Sequence, residues 1–202
     1  MIHFDPVRHE YFVDGVRWPS VTELIEYSGL VSPFSKQPWY AQRGKYVHKA
    51  IELDIRGTLD PATVDPEVKP YLDAWREFQR DTRCSVVLNN FQVVNSRERY
   101  CGTLDVVLMM ADGPFVTDAK AGGPSPWHEL QVWLYKEALC DMRVKELAYP
   151  QMARTANLYL RPSKVPPYSW KPRGDVDQAR CRELCDKWWR GHEVKGWPDL
   201  WE

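Results

Sequence analysis

The chain has 202 residues, 44% of them hydrophobic, and a formal net charge of −1 at pH 7. That length suits one domain with a sizeable core and is short for two. Near-neutrality argues against a protein that coats nucleic acid with its whole surface, while leaving room for a local basic groove. No stretch is apolar for long enough to cross a bilayer, and Met1-Ile-His-Phe-Asp-Pro6 lacks the pattern of a signal peptide. The expectation is a soluble, cytoplasmic protein with no membrane contact. The five cysteines, an odd number without C-x-x-C spacing, fit a reducing compartment. Ten tryptophans are many for this length. Trp18, Trp39 and Trp75 are expected to anchor the core.

In chain order, residues 2–18 read as a hairpin turning at Asp14-Gly15. Ser20-Val-Thr-Glu23 is a capping box opening a short helix that ends at Gly29. Ser32 to Pro38 is a loop. Arg43-Gly44-Lys-Tyr-Val-His48-Lys-Ala-Ile-Glu52 lies on a helix running to about Gly57. Its Val47, Ile51 and Ile55 form an apolar stripe, and Gly44, His48 and Glu52 share a separate face. Asp60 to Pro66 is a proline-interrupted connection. Residues 67–82, with Tyr71, Leu72, Trp75 and Phe78, have helical periodicity. Val86 to Val94 is strand-like. Two strands follow around Ala111-Asp-Gly-Pro114, then a helix from Ser125-Pro126 to about Met142, with Ser125 as its expected N-cap. Ala156-Asn-Leu-Tyr-Leu160 is a strand, Val165 to Pro172 is extended, and residues 175–190 form a last helix. The expected architecture is one α/β domain over 1–202, a central mixed sheet flanked by helices.

The hairpin around Asp112-Gly113 carries the chemistry. Side chains alternate faces along a strand, so Asp105 and Val107 share a face, as do Asp118 and Lys120. A turn centred on Asp112-Gly113 sets Asp105 opposite Lys120 and Val107 opposite Asp118. The two aspartates are then diagonal neighbours, about 7–8 Å apart at the backbone. A slip of one residue would instead put them on opposite faces. Two close carboxylates repel unless protonated or bridged by a cation. A Mg²⁺ or Mn²⁺ ion removes the repulsion and lowers the pKa of a bound water. Lys120 beside them suits a phosphate oxygen. These are the parts that phosphodiester hydrolysis needs. The alternative is an edge hairpin whose polar face meets solvent. Gln131 and Tyr135 lie four residues apart on one helical face. His48 is either a metal ligand or a hydrogen-bonded core histidine. Trp127 is either a stacking surface for an unpaired base or a packing residue.

Arg43-Gly44-x-x-x-His48, Gly102-Thr-Leu-Asp105, Asp118-Ala-Lys120 and Gln131-x-x-x-Tyr135, in this order, resemble the RecB-like branch of the PD-(D/E)XK nuclease superfamily. His9-Glu-Tyr-Phe-Val-Asp-Gly15 and Pro19-Ser-Val-Thr22 resemble the start of its phage and bacterial members. The resemblance covers most of residues 1–140. It implies a restriction-endonuclease-like core, with a divalent metal at Asp105 and Asp118 and His48 as a further ligand. Lys120 then assists the attacking water, and Gln131 and Tyr135 position substrate. It implies an exodeoxyribonuclease acting on DNA with a free end, in recombination, repair or phage DNA processing, with a possible recombination protein as partner. One departure concerns the strand before Gly102. Family members often carry a glutamate there, whereas this chain has Asn89-Asn90. An iron–sulfur branch of the family uses four cysteines. Here Cys181 and Cys185 share a helical face near the C-terminus, which also fits a plain thiol-bearing helix.

Two rival readings stand beside the nuclease. One is a nucleic-acid-binding module that kept the fold and lost turnover. The other is a protein-interaction domain that docks through Trp188, Trp189, Trp197 and Trp201.

Overall fold

The structure, a computed structural model, describes residues 2–8, 10–31, 38–142, 144–147, 149–174, 176 and 178–192. It opens with a three-stranded antiparallel sheet of β1 (Ile2–Asp5), β2 (Glu10–Val13) and β3 (Val16–Trp18). The sequence predicts one hairpin over this stretch, and the second one arises from Asp5. Its carboxylate accepts the Val7 and Arg8 N–H groups at 2.8 and 3.1 Å and turns the chain back. At the second turn Asp14 and Gly15 both have positive φ, +49° and +84°, the backbone that a tight two-residue hairpin demands. The capping box forms as expected: Glu23 N–H donates to Ser20 Oγ at 3.1 Å, and Ser20 N–H to Glu23 Oε2 at 2.7 Å. It starts α1 (Val21–Tyr27).

Two helices precede the main sheet, α2 (Pro38–Ile55) and α3 (Lys69–Thr82). Residues 32–37 of the expected Ser32–Pro38 loop lie outside the described residues. The main sheet consists of β4 (Ser85–Asn95), β5 (Tyr100–Met110), β6 (Gly113–Lys120), β7 (Arg154–Leu160) and β8 (Tyr168–Arg173), in that spatial order. Only the β6–β7 pairing is parallel, and α4 (Trp127–Met142) lies on the connection that makes it so. The last helix is α5 (Gln178–Gly191). The protein is therefore α/β, with a five-stranded mixed sheet between helices.

Alternation along the central strands divides the core. Val107 and Val116, paired across β5 and β6, join a cluster with α1, α4 and α5. Val106, Leu108 and Ala119 point the other way, into a cluster with Val47 and Ile51 of α2 and Leu72, Trp75 and Phe78 of α3. Because β5 and β6 are interior strands, the alternative of a solvent-facing edge hairpin does not hold.

The tryptophans divide by position. Trp75 is fully buried, and Trp18 is partly buried against Tyr11, Val94 and Cys101. Trp39, expected in the core, is instead 54% exposed, because burial along α2 begins only at Val47 and the first two turns carry no buried residue. Trp188 is buried in the core with Cys181 and Cys185, which removes it from any docking surface. Trp197 and Trp201 lie outside the described residues. Among the described residues no helix is long and apolar enough to cross a membrane.

Gly102 shows how tightly α4 sits on the sheet. A Cβ at this position would lie 2.6 Å from Tyr135 Cε1 and 3.2 Å from Val21 Cγ2. Tyr135 is itself fixed by its hydroxyl, so the ring has little freedom to retreat. Gly102→Ala is expected to destabilise the protein by about 1–3 kcal/mol, the usual cost of overpacking a core. Urea denaturation of both proteins measures it, and an unchanged midpoint would show that the ring moves aside.

Candidate active site

The β5–β6 turn places the central residues. Pairing runs from Met110↔Gly113 to Val106↔Thr117, so the turn is Ala111-Asp112 and Gly113 is already in the strand. The register therefore differs by two residues from the sequence expectation. Continued one step, it sets Asp105 directly across from Asp118, not from Lys120. A shift of two preserves the face, so both aspartates still point the same way. On the next strand, parallel pairing aligns Asp118 with Asn157 and Lys120 with Tyr159.

Each carboxylate has its own partners. Asp105 Oδ2 accepts the Ala119 N–H at 3.0 Å and lies 3.0 Å from His48 Nδ1. Asp118 is 2% exposed. Its Oδ2 lies 2.8 Å from Lys120 Nζ, yet it has no well-directed hydrogen-bond partner among the described residues. Lys120 Nζ also donates to Gln131 Oε1 at 2.7 Å, and Gln131 Nε2 donates to the Tyr135 hydroxyl at 3.4 Å. All six residues singled out from the sequence, His48, Asp105, Asp118, Lys120, Gln131 and Tyr135, thus line one cleft of about 1090 Å³. The His48 side chain is 34% exposed and faces the cleft from α2.

The charges divide the pair. Burial pushes the Asp118 carboxyl up to about 6 against the pull of Lys120, and the charge of Asp105 adds to the rise. Burial also works to raise Asp105. There the charge and hydrogen bond of His48, with Lys120 and the Ala119 N–H, prevail and hold it below the usual carboxylate range. Burial works to lower His48, but Asp105 outweighs it and His48 is raised. Burial and the two carboxylates raise the Tyr135 phenol, which stays neutral.

Asn90 falls between the Asn89↔Val106 and Phe91↔Leu104 pairs, opposite Asp105, with φ of +49°. Asparagine tolerates this left-handed backbone better than most residues. The residue across from Asp105 on β4 is thus an amide and not an acid. Glu52 is the other acid in the cleft wall, but Lys49 and Arg56 hold its oxygens at 3.0–3.1 Å. Among the described residues no three His, Cys, Asp or Glu side chains converge on one metal position as they stand. The donor chemistry still fits a hard divalent cation. Two carboxylates and an imidazole line the same cleft, and a buried Asp118 oxygen lacks a hydrogen bond.

Sequence reasoning missed a second polar group beside the site. His128 Nδ1 accepts the Ser125 N–H at 3.2 Å and lies 3.1 Å from the Tyr159 hydroxyl. Arg173 donates to Asn157 Oδ1 at 2.7 Å and to Tyr159 at 2.8 Å. These bonds turn Arg173 inward, its side chain 22% exposed. Ser125, expected to cap α4 by its side chain, engages His128 through its backbone. The spacing of His128, Gln131 and Tyr135 on one helical face was the signal available. Trp127 flanks the group, with Lys120 Nζ 5.0 Å from its ring centroid.

No family model matches this sequence, and neither does any curated protein.

Burial, with Lys120 and Arg173 nearby, lowers the His128 pKa to about 3. An unfolded histidine titrates near 6.5, so the stability held by neutral His128 is present above that pH and is lost as pH falls toward 3. Between pH 7 and pH 5 this group alone is expected to cost about 2 kcal/mol of unfolding free energy. His128→Gln should remove that share of the pH dependence. Urea denaturation at both pH values checks it, and identical slopes for the two proteins would contradict it.

Proposed function

We propose that this chain is a divalent-metal-dependent deoxyribonuclease, a RecB-like member of the PD-(D/E)XK superfamily with a restriction-endonuclease-like core. The observation that carries the reading is Asp118. It is a buried carboxylate on a central strand, opposite Asp105 and beside Lys120. A buried charge of this kind is costly unless paired or bound to a metal.

In this reading Asp105, Asp118 and His48 hold Mg²⁺ or Mn²⁺. Such an ion, when bound, supplies Lewis-acid polarisation of the phosphate and a water of lowered pKa. The chain's own residues do the rest. Lys120 donates to Gln131, stands 2.8 Å from Asp118 as its counter-charge, and has ammonium protons left for a phosphate oxygen or the attacking water. Gln131 fixes the lysine head, and the Tyr135 hydroxyl fixes Gln131. His48 holds Asp105 ionised and oriented.

The substrate is DNA with a free end. The cleft has the volume of a small-ligand site, which suits a threaded strand better than a clamped duplex. Trp127 and Tyr40 border it as stacking surfaces. The amide at Asn90 supports a second reading, a nucleic-acid-binding module without turnover. Titrating Mn²⁺ against labelled DNA separates binding from cleavage.

Asp118→Asn and Lys120→Ala are each expected to cut cleavage by about 10²–10³-fold or more. Asp118→Asn should hold or raise the melting temperature, whereas Lys120→Ala, which strips Asp118 of its counter-charge, should lower it. Parental cleavage rates in either folded variant would reject the assignment. With Mg²⁺ or Mn²⁺, linear DNA should be degraded to short products while covalently closed circles survive, and EDTA should stop the reaction. Nicking of the closed circle at a comparable rate would mark an endonuclease instead.

A further inference from the structure

The cleft wall formed by α2 carries two features that the reaction above does not use. The first is Arg43. Its guanidinium lies 5.2 Å from the Tyr40 ring centroid and 5.1 Å from that of Tyr71. Two aromatic rings hold the cation in place, and its N–H groups remain to donate hydrogen bonds. One is used: Nη2 donates to the Ala121 carbonyl, one residue past Lys120, at 3.1 Å. Its Nε is buried without a hydrogen-bond partner, and among the described residues no carboxylate pairs with the group. Arginine's planar fork matches carboxylate and phosphate, and among the described residues this one has neither.

The second feature is Gly44. It lies inside α2 without a positive φ, and a Cβ there would meet no atom within 4 Å. Glycine weakens a helix interior relative to alanine. Among the described residues neither packing nor backbone conformation asks for it. Gly44 lines the cleft between Arg43 and His48. A missing side chain there leaves the helix backbone open to close approach by a ligand.

We infer that Arg43 and Gly44 form a docking step for a nucleic-acid phosphate, Arg43 gripping its oxygens while the strand passes against the bare helix at Gly44. The inference rests on the nuclease reading. The same chemistry serves an internal phosphodiester or a terminal phosphate. Lys45, also on this wall, adds positive potential along the same path, while Lys49 is paired with Glu52.

The test is binding of fluorescein-labelled single-stranded DNA, 5′-phosphorylated or 5′-hydroxyl, to the full chain in EDTA across a range of salt. Arg43→Gln is expected to weaken binding about tenfold and to reduce the slope of log K against log salt by about 0.7, the share of one single-strand phosphate. Arg43→Lys should keep the slope, because it keeps the charge. Gly44→Ala should raise the melting temperature and still weaken binding, a combination that a purely structural glycine does not produce. Loss confined to the 5′-phosphorylated strand identifies a terminal phosphate, and equal loss on both strands an internal one. Parental affinity and slope in Arg43→Gln, with parental affinity in Gly44→Ala, would overturn the inference. So would a parent chain that binds neither strand. Cleavage of linear DNA in Mn²⁺ by the same preparations then judges the nuclease reading separately.

Discussion

A carboxylate buried in the middle of a sheet needs a counter-charge, and Asp118 imposes that need on its surroundings. Lys120, two residues along the same strand face, meets it at 2.8 Å. The lysine is in turn held by Gln131, and Gln131 by Tyr135. Tyr135 can reach that position only because Gly102 has no side chain to occupy the space. The chain of dependence thus runs from a charge on β6, through one face of α4, to a small residue on β5. Residues far apart in sequence are coupled because an unpaired buried charge costs more than the packing restrictions that prevent it.

The second aspartate is handled differently. Asp105 faces His48 on α2 and the Ala119 backbone, and these keep it ionised although burial opposes it. Asp118, with less support, is raised instead. Asp105 is thus held ionised while Asp118, raised to about 6, gives up its charge more readily as pH falls, and both offer oxygens to a cation. The two sides of the site are built on different helices, α2 for Asp105 and α4 for Asp118. The sheet between them keeps both carboxylates on one face.

Around this centre the cleft has unlike walls. On the α4 side, His128, Tyr159, Asn157 and Arg173 form a buried hydrogen-bonded group with few unmet demands. That group stiffens the loop through Ser125 and keeps Trp127 beside Lys120. On the α2 side, Arg43, Gly44 and the exposed first turns carry polar and aromatic groups with few internal partners. The α4 wall is internally satisfied, and the α2 wall, which also carries His48, is the one open to a ligand.

The sequence by itself determined the order and type of nearly every element, because capping boxes, turn residues and hydrophobic period act over a few neighbouring residues. Ser20-Val-Thr-Glu23, Asp14-Gly15 and the stripe of Leu72, Trp75 and Phe78 all act at that range. It also brought Asp105 and Asp118 to one face, since a strand's period of two survives an error of two residues in register. What only the tertiary structure decided was set by contacts between distant segments. Trp39 is exposed because α2 reaches past the core, and Arg173 turns inward because β7 offers Asn157 and Tyr159. The true register, with Asp105 facing Asp118, depended on whether Gly113 ended the turn or began the strand. Two adjacent residues could not distinguish those outcomes, and the pairing of whole strands against the packed faces of the sheet did.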